Sequence, residues 1–351
     1  MRPVALLSLV LPVSSAMVVR NVFGTDVNIE IDESTHIFPS IEEINDMEKT
    51  LPGAKHGWFE SSYQNAKLHY YYWLPEGEVK GVVIYHHGIN ARTGRGLIID
   101  DRKLSTSLMS DAFLKQGLAL YTFDQYGHGF SEGTRFLIPE SWEYNKKDCI
   151  KFANMVSEKH SKDIPLFIGG ESYGGCLAIH TARHFQEFPN ESPPNFDSIL
   201  LSAPAIVADL PGFPVYQILK YILAPLLPKW TPFFMPHPVS PDRIWRDEKV
   251  LEHYTSQEYK KTGLDNGGSK LRLGTALNCV LALEEVRKSA IPGFNVPFCI
   301  VHGTKDDAVP IEGSLYMMEN ASAAEDDKEL HRMEGAHHDV SKKKSDNLFS
   351  S

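Results

Sequence analysis

One stretch constrains this chain more than any other: Pro165 to Gly175, reading PLFIGGESYGG. A short apolar run, Leu166 to Ile168, meets Gly169 and Gly170, then Glu171-Ser172-Tyr173-Gly174-Gly175, and a helix-compatible run follows from Cys176 to Phe188. This is G-x-S-x-G where a buried strand turns sharply into a helix, the context that gives the motif its chemical meaning. A serine held in strained geometry at the tip of such a turn needs neighbours without bulky side chains, and glycine supplies them. Ser172 is therefore the candidate nucleophile. The plain alternative is a glycine-rich loop with an incidental serine.

The segments around it predict strands alternating with helices. Trp58 to Tyr63 and Lys67 to Trp73 read as two strands joined by a turn, and Gly81 to Tyr85 as a strand covered on both faces. A helix is expected over Lys103 to Gln116, stopped by Gly117, followed by a strand over Leu118 to Phe123 and a helix over Trp142 to Val156. After the serine turn come β-rich runs at Ser198 to Ala203 and Val296 to Val301, a helix near Gly313 to Ala324 and a last strand near Glu329 to Met333. Such alternation implies a parallel sheet flanked by helices, with right-handed crossovers that bring the functional loops to the carboxyl ends of the strands. At 351 residues the chain fits one α/β unit with an insertion.

Those carboxyl ends carry the partners a serine needs, a histidine base and an acid that orients it. In this fold class they follow in the order serine, acid, histidine. His302-Gly303-Thr304-Lys305-Asp306-Asp307 follows one strand and Gly335-Ala336-His337-His338 the last. Asp306 and His338 are the choices, with Asp307 and His337 as their near neighbours. For the oxyanion, the backbone N–H groups of Tyr173 and of Ile89, in the His86-His87-Gly88-Ile89-Asn90 loop, are the expected donors. His86 and His87 look like metal ligands, but spacing places no third ligand, so they are read as loop-shaping residues.

Here the motifs resemble, in order, a known family. The HHG segment, DQYGHGFSEG at 124–133, the GESYGG elbow, LLSAPA at 200–205, HGTKDDAVP at 302–310 and GAHH at 335–338 are similar to the monoacylglycerol lipase and lysophospholipase branch, serine aminopeptidase S33-like, of the α/β-hydrolases. The similarity runs from about Trp58 to His338, and Arg272 to Leu277 resembles a segment after the cap in plant members. It implies an α/β-hydrolase fold with an inserted helical cap, Ser172, Asp306 and His338 as triad, and Ile89 and Tyr173 as oxyanion donors; it aligns His338 with the base. Animal members carry a Glu-His pair shortly after the first oxyanion residue, where this chain has Ala91-Arg92, although Arg95 matches an arginine slightly further on. Members also continue past the base into a covering helix, whereas Asp339 to Ser351, rich in lysine and serine, follow it here.

The expected layout is a signal peptide over 1–16, an N-terminal extension over 17–55, a core over 56–208, a cap over 209–283 and the rest of the core over 284–351. Arg2, the apolar run Val4 to Val13 and the small residues Ser14-Ser15-Ala16 carry the leader reading; a buried strand or an uncleaved anchor is its alternative. The compartment follows from it, secretory if the leader is cleaved and cytoplasmic or membrane-associated otherwise. In the cap, Ile218, Leu219, Ile222, Leu223, Leu226 and Leu227 repeat at helical spacing among several prolines, and Leu223 and Leu227 are expected to line an acyl path or touch lipid. A helix packed on the core is the alternative. The four cysteines, Cys149, Cys176, Cys279 and Cys299, show no framework spacing, and no obligatory disulfide is expected.

The function expected is hydrolysis of a lipid monoester, a monoacylglycerol or a lysophospholipid, without a cofactor, with an acyl-ester lipid as partner and transient membrane-surface contact through the cap. A formal charge of -10 argues against nucleic acid. Ser172 argues against the epoxide hydrolases and dehalogenases that share the fold but attack with aspartate. An esterase for phenolic or other small esters, as plant relatives suggest by resemblance, is the runner-up. A non-catalytic hydrolase-fold receptor is the reading from another class.

Overall fold

Period-2 runs bounded by glycine and proline become strands wherever both faces find a helix or another strand to cover them. The computed structural model describes residues 16–20, 26–30, 51–94, 96–99, 102–208, 212–233, 237, 239–245, 247–264 and 270–338. Residues 1–15 of the expected leader, residues 31–50, Arg95 and the tail 339–351 lie outside the described residues.

Two short strands, β1 (Ala16–Arg20) and β2 (Asp26–Glu30), pair antiparallel with each other. The main sheet begins with β3 (Lys55–Glu60), β4 (Lys67–Trp73) and β5 (Gly81–His86). A hairpin of β6 (Gly96–Ile99) and β7 (Arg102–Ser105) comes next, then α1 (Thr106–Lys115), β8 (Leu118–Phe123), α2 (Glu143–Ser157), β9 (Leu166–Glu171), α3 (Tyr173–Glu187) and β10 (Phe196–Ser202). Between β10 and β11 lie α4 (Val215–Ile218), a π-helical turn (Leu219–Leu223), α5 (Ala224–Leu226), α6 (Pro241–Ile244), α7 (Glu248–Thr255), α8 (Gln257–Lys261) and α9 (Leu273–Glu285). The chain returns to the sheet as β11 (Phe298–Gly303), α10 (Glu312–Asn320) and β12 (Lys328–Met333).

Eight strands form the main sheet in the order β12-β11-β10-β9-β5-β8-β4-β3, parallel except for β4 against β3 and β8. The expected mostly parallel sheet with flanking helices is therefore present. Val82 and Ile84 of β5 face the larger core with α2 and α3, while Val83 faces the second core with Phe113 and Leu114 of α1. Burial on both faces explains why the run reads as continuously apolar. Two expectations shift. The first strand ends at Glu60 instead of running to Tyr63, and the helix expected from Lys103 starts at Thr106. Arg102–Ser105 pairs instead antiparallel with Gly96–Ile99, so the strand ladder takes up the residues expected to open the helix.

The sheet order has one consequence for chemistry. β8 lies on one side of β5 and β9 on the other, so the loops after β5 and β9 diverge from neighbouring strands at the point where the winding reverses, the usual crevice of an open α/β sheet. His86 at the end of β5 pairs with Gly170 of β9, which sets the HHG loop beside the serine turn. The approach is close: a Cβ on Gly174 would lie 2.2 Å from the His86 carbonyl oxygen, a backbone atom that cannot swing aside. We predict that Gly174→Ala costs on the order of 1–3 kcal/mol, as overpacking does, and that it removes labelling by a fluorophosphonate probe. Thermal melts and in-gel labelling check this; a variant that melts and labels like the parent would mean the backbone can yield here.

Candidate active site

Ser172 sits between β9 and α3 with φ 54° and ψ -121°, a left-handed backbone that a side-chain-bearing residue adopts only under constraint. Three backbone bonds hold it: its N–H donates to Ser202 O at 3.1 Å, and its carbonyl accepts from Ala205 at 2.8 Å and Cys176 at 3.2 Å. The bond from Ala205 ties the elbow to the loop after β10, so neighbouring strand ends support the strain.

The HHG loop passes directly over the elbow, with a Cβ position on Gly88 only 3.2 Å from the Ser172 Cβ. Ala91 N–H to Gly88 O closes a turn around Ile89, and Asn90 takes a left-handed φ of 57°. His87 shapes this loop. Its Nε2 accepts from the Gln125 N–H at 3.0 Å, which leaves the proton on Nδ1 for the Gly88 carbonyl at 2.7 Å. Gln125 also donates to the His87 carbonyl at 2.8 Å and accepts from Asn145 at 2.9 Å. His86 is buried at the strand end, and burial together with its neighbour His87 lowers it to about 3, so it is a neutral imidazole at any ordinary pH.

The other end of the loop is held by Asp124, a fully buried carboxylate. One oxygen accepts from Thr93 N and Oγ1 at 2.8 and 2.9 Å; the other accepts from Phe130 N at 3.0 Å and lies 3.4 Å from His69 Nδ1. Burial alone would raise its pKa, but the hydrogen bond and charge of His69, then His87 and the Phe130 N–H, bring it below the ordinary value. Gly129, at φ 48°, is required because any side chain there would overlap the Asp124 carboxylate. The DQYGHGFSEG turn thus braces the HHG loop.

The candidate acid and base stand on the loops after β11 and β12. Asp306 Oδ1 accepts from Ala308 N at 2.9 Å and Val309 N at 2.8 Å, and Oδ2 accepts from His338 Nδ1 at 2.7 Å with His302 Nε2 at 3.3 Å. Behind it, His302 is fixed by Ser314 Oγ at 2.7 Å and Val309 O at 3.0 Å. Burial by itself would raise Asp306, but hydrogen bonds from His302 and His338, the His338 charge and the Val309 N–H hold it far below the usual carboxylate range. Asp307 is exposed, and its carbonyl accepts from Arg243 Nη1 at 3.3 Å. Of the two histidines, His338 meets the acid; the His337 ring nitrogens are buried and have no hydrogen-bond partner among the described residues.

Ser172, Ile89 and Tyr173 line one open cavity. Its remaining wall is largely aliphatic, including Leu219, Ala224, Leu273, Leu277 and Leu283 from the segment between β10 and β11, with Val309 from the acid loop. Leu223 and Leu227 are not on this wall. They pack behind it, against the wall residues Ala224 and Leu273 and with Trp230, while the helical run that includes the π-turn presents Tyr216, Leu219, Lys220 and Ala224 to the cavity. Lys220 and Arg243 in the lining were not legible: Lys220 reads as a solvated helix position, and no sequence signal distinguishes Arg243.

A strained serine elbow at the winding reversal of a parallel sheet, an aspartate–histidine pair on the loops after β11 and β12 and a cavity at the serine define an α/β-hydrolase. The family described as serine aminopeptidase, S33, matches residues 77–344, and the chain belongs to that family. Human monoglyceride lipase is 27% identical over 268 residues, 76% of this chain and 78% of that protein. The caffeoylshikimate esterase of Arabidopsis thaliana is 26% identical over 279 residues, 79% and 76% of the two chains. A soluble variant of Saccharomyces cerevisiae monoglyceride lipase, solved with a substrate analog, shares the fold with a TM-score of 0.61 at 23% identity, over 80% of this chain and 87% of that one.

Two outcomes follow from the acid. Because its folded pKa is depressed, ionised Asp306 stabilises the fold above the unfolded value of about 3.9, and that stability is lost only as pH falls through the lower folded value. The Asp306–His338 pair therefore persists at pH 5. Asp306→Asn keeps the fold but presents an amide to His338 and favours the wrong tautomer, so the rate of acylation by a fluorophosphonate should fall by about 10⁴, whereas His337→Ala should retain most of it. Labelling kinetics on folded variants decide this; equal losses, or greater loss in His337→Ala, would contradict the assignment.

Proposed function

We propose that this carboxylic-ester hydrolase cleaves lipid monoesters, monoacylglycerols or lysophospholipids, through an acyl-enzyme on Ser172. The observation that carries the reading is the cavity: the candidate nucleophile and both oxyanion residues open into a space walled by aliphatic side chains, which suits one acyl chain. His338, oriented through Nδ1 by Asp306, takes the Ser172 proton on Nε2 as Oγ attacks the ester carbonyl. The oxyanion is received by the N–H groups of Ile89 and Tyr173, which exist before the charge develops and need no reorganisation. His338 then protonates the departing alkoxide, activates a water against the acyl-enzyme, and the free acid leaves. Nothing in these steps calls for a cofactor.

The segment over 209–283 acts in this reading as a cap that supplies the acyl wall, with Leu219 and Leu277 in the role expected of Leu223 and Leu227. Its outer side meets lipid. Phe213 and Phe233 are each 87% exposed, and Tyr221, Ile222 and Leu226 are exposed beside them in sequence. Large apolar side chains left in water at this density suit a surface that rests on a membrane. Among the described residues no helix is long and apolar enough to cross one. Replacing both Phe213 and Phe233 by serine should reduce binding to phosphatidylcholine vesicles several-fold in a flotation assay, while hydrolysis of a dissolved acetate ester stays near the parent rate; unchanged flotation would remove membrane contact from the account.

The second reading, a phenolic-ester esterase, draws on the likeness to the Arabidopsis protein. A hydrolysis panel of monoacylglycerols, lysophospholipids, triacylglycerols and hydroxycinnamoyl esters tests both. The expected result is fastest turnover of a long-chain monoester, reduced in Ser172→Ala by on the order of 10⁶. Preference for the hydroxycinnamoyl ester would favour the second reading. No turnover of any ester by folded protein would leave the receptor reading.

A further inference from the structure

The main sheet ends in β12, which is joined to the rest on one side only, by β11. The parallel register sets Leu200, Cys299 and Glu329 side by side across β10, β11 and β12. Neighbours in such a row project from the same face of the sheet. The next row, Leu201, Ile300 and Leu330, faces the larger core, where the first two are buried and Leu330 packs against them. Two residues beyond Glu329, His331 returns to the Cys299 face. A thiol, a carboxylate and an imidazole therefore converge there. Their ligand atoms all lie within 4.8 Å of one another, and His331 Nε2 is 2.9 Å from Glu329 Oε1. Among the described residues this is the one such convergence of His, Cys, Asp and Glu.

We propose that Cys299, Glu329 and His331 bind a transition-metal dication, zinc in preference to others, which clips the edge strand β12 to β11. Thiolate sulfur, imidazole nitrogen and carboxylate oxygen are the ligands zinc takes, at bonds of about 2.0–2.3 Å. Tetrahedral bonds of that length put ligand atoms roughly 3–4 Å apart, so the observed spread closes by rotation of three side chains while the strand ladder holds their backbones in place. Calcium and magnesium fit poorly, since they prefer six or more oxygen ligands and one carboxylate is on offer. Glu329 is 64% and His331 51% exposed, which leaves the metal an entry path and a fourth position for water. On binding, the Cys299 thiol loses its proton to solvent as the sulfur–metal bond forms, and thiolate and carboxylate together neutralise the dication.

The placement gives the clip a purpose in this fold. β11 leads into the loop of Asp306 and β12 into the loop of His338, so a metal bridging the two strands restrains the pair that carries acid and base without touching the ester. Its presence does not depend on which ester is cleaved.

Cobalt titration of the full chain after chelator treatment tests it. A thiolate-to-cobalt charge-transfer absorption should appear, saturate at one metal per chain and be displaced by zinc, and the melting temperature should rise with zinc concentration as linkage requires. Cys299→Ser should abolish the absorption. Glu329→Gln and His331→Ala should each weaken zinc binding by at least about tenfold, with metal-free melting temperatures unchanged because both side chains stand on an exposed face. Absence of the absorption in the parent chain overturns the proposal, and so does zinc binding that all three variants leave intact.

Discussion

The close contact between Gly174 and the His86 carbonyl is the constraint on which the site depends. A helix can begin directly against the end of a neighbouring strand only if its first turn carries no side chain on that side. Beside that contact Ser172 takes its left-handed backbone, and Ser202, Ala205 and Cys176 hold it there through main-chain bonds. Strain of this kind costs on the order of 1–3 kcal/mol. It persists because β5 and β10 both brace the turn, and in return the hydroxyl opens into the cavity beside the HHG loop instead of lying in the core.

Two buried aspartates organise the loops around that elbow by the same physics. Asp124 and Asp306 each collect several hydrogen bonds, which more than offset the cost of burying a charge and hold both below the ordinary carboxylate pKa. Their roles diverge through position. Asp124 spends its acceptors on Thr93 and Phe130 and so fixes backbone, whereas Asp306 keeps one oxygen for His338. Removing either leaves donors without acceptors and costs stability, and substitutions at Asp306 should register in rate as well because its second oxygen orients His338.

Local patterns carried much of this in the sequence. The strand-glycine-serine-glycine-helix run could be read because its steric demands fall on adjacent residues, and the order of acid and base loops could be read because parallel strands put them at one end. What depends on distant residues was less legible. The choice of Asp306 over Asp307 is made physically by the N–H groups of Ala308 and Val309, which orient one carboxylate toward His338. The wall residues of the cavity were misplaced by one helical face, since a π-turn shifts the periodicity that Leu223 and Leu227 were read from. Lys103 to Ser105, where the sequence predicts the start of a helix, belong to a four-residue strand whose partner is equally short, so neither run is long enough to show a strand period. Cys299, Glu329 and His331 have no motif spacing at all; only strand register unites them.

In the proposed reaction Ser172 becomes acylated by a lipid monoester. Acid-quenching the parent chain during turnover of a long-chain monoacylglycerol, followed by peptide mass spectrometry, measures this directly. An acyl-enzyme route gives an added fatty-acyl mass on the peptide containing Ser172, absent when the substrate is a non-hydrolysable ether. An acyl mass on another residue, or steady hydrolysis with Ser172 unmodified at every quench time and in Ser172→Ala, would contradict it.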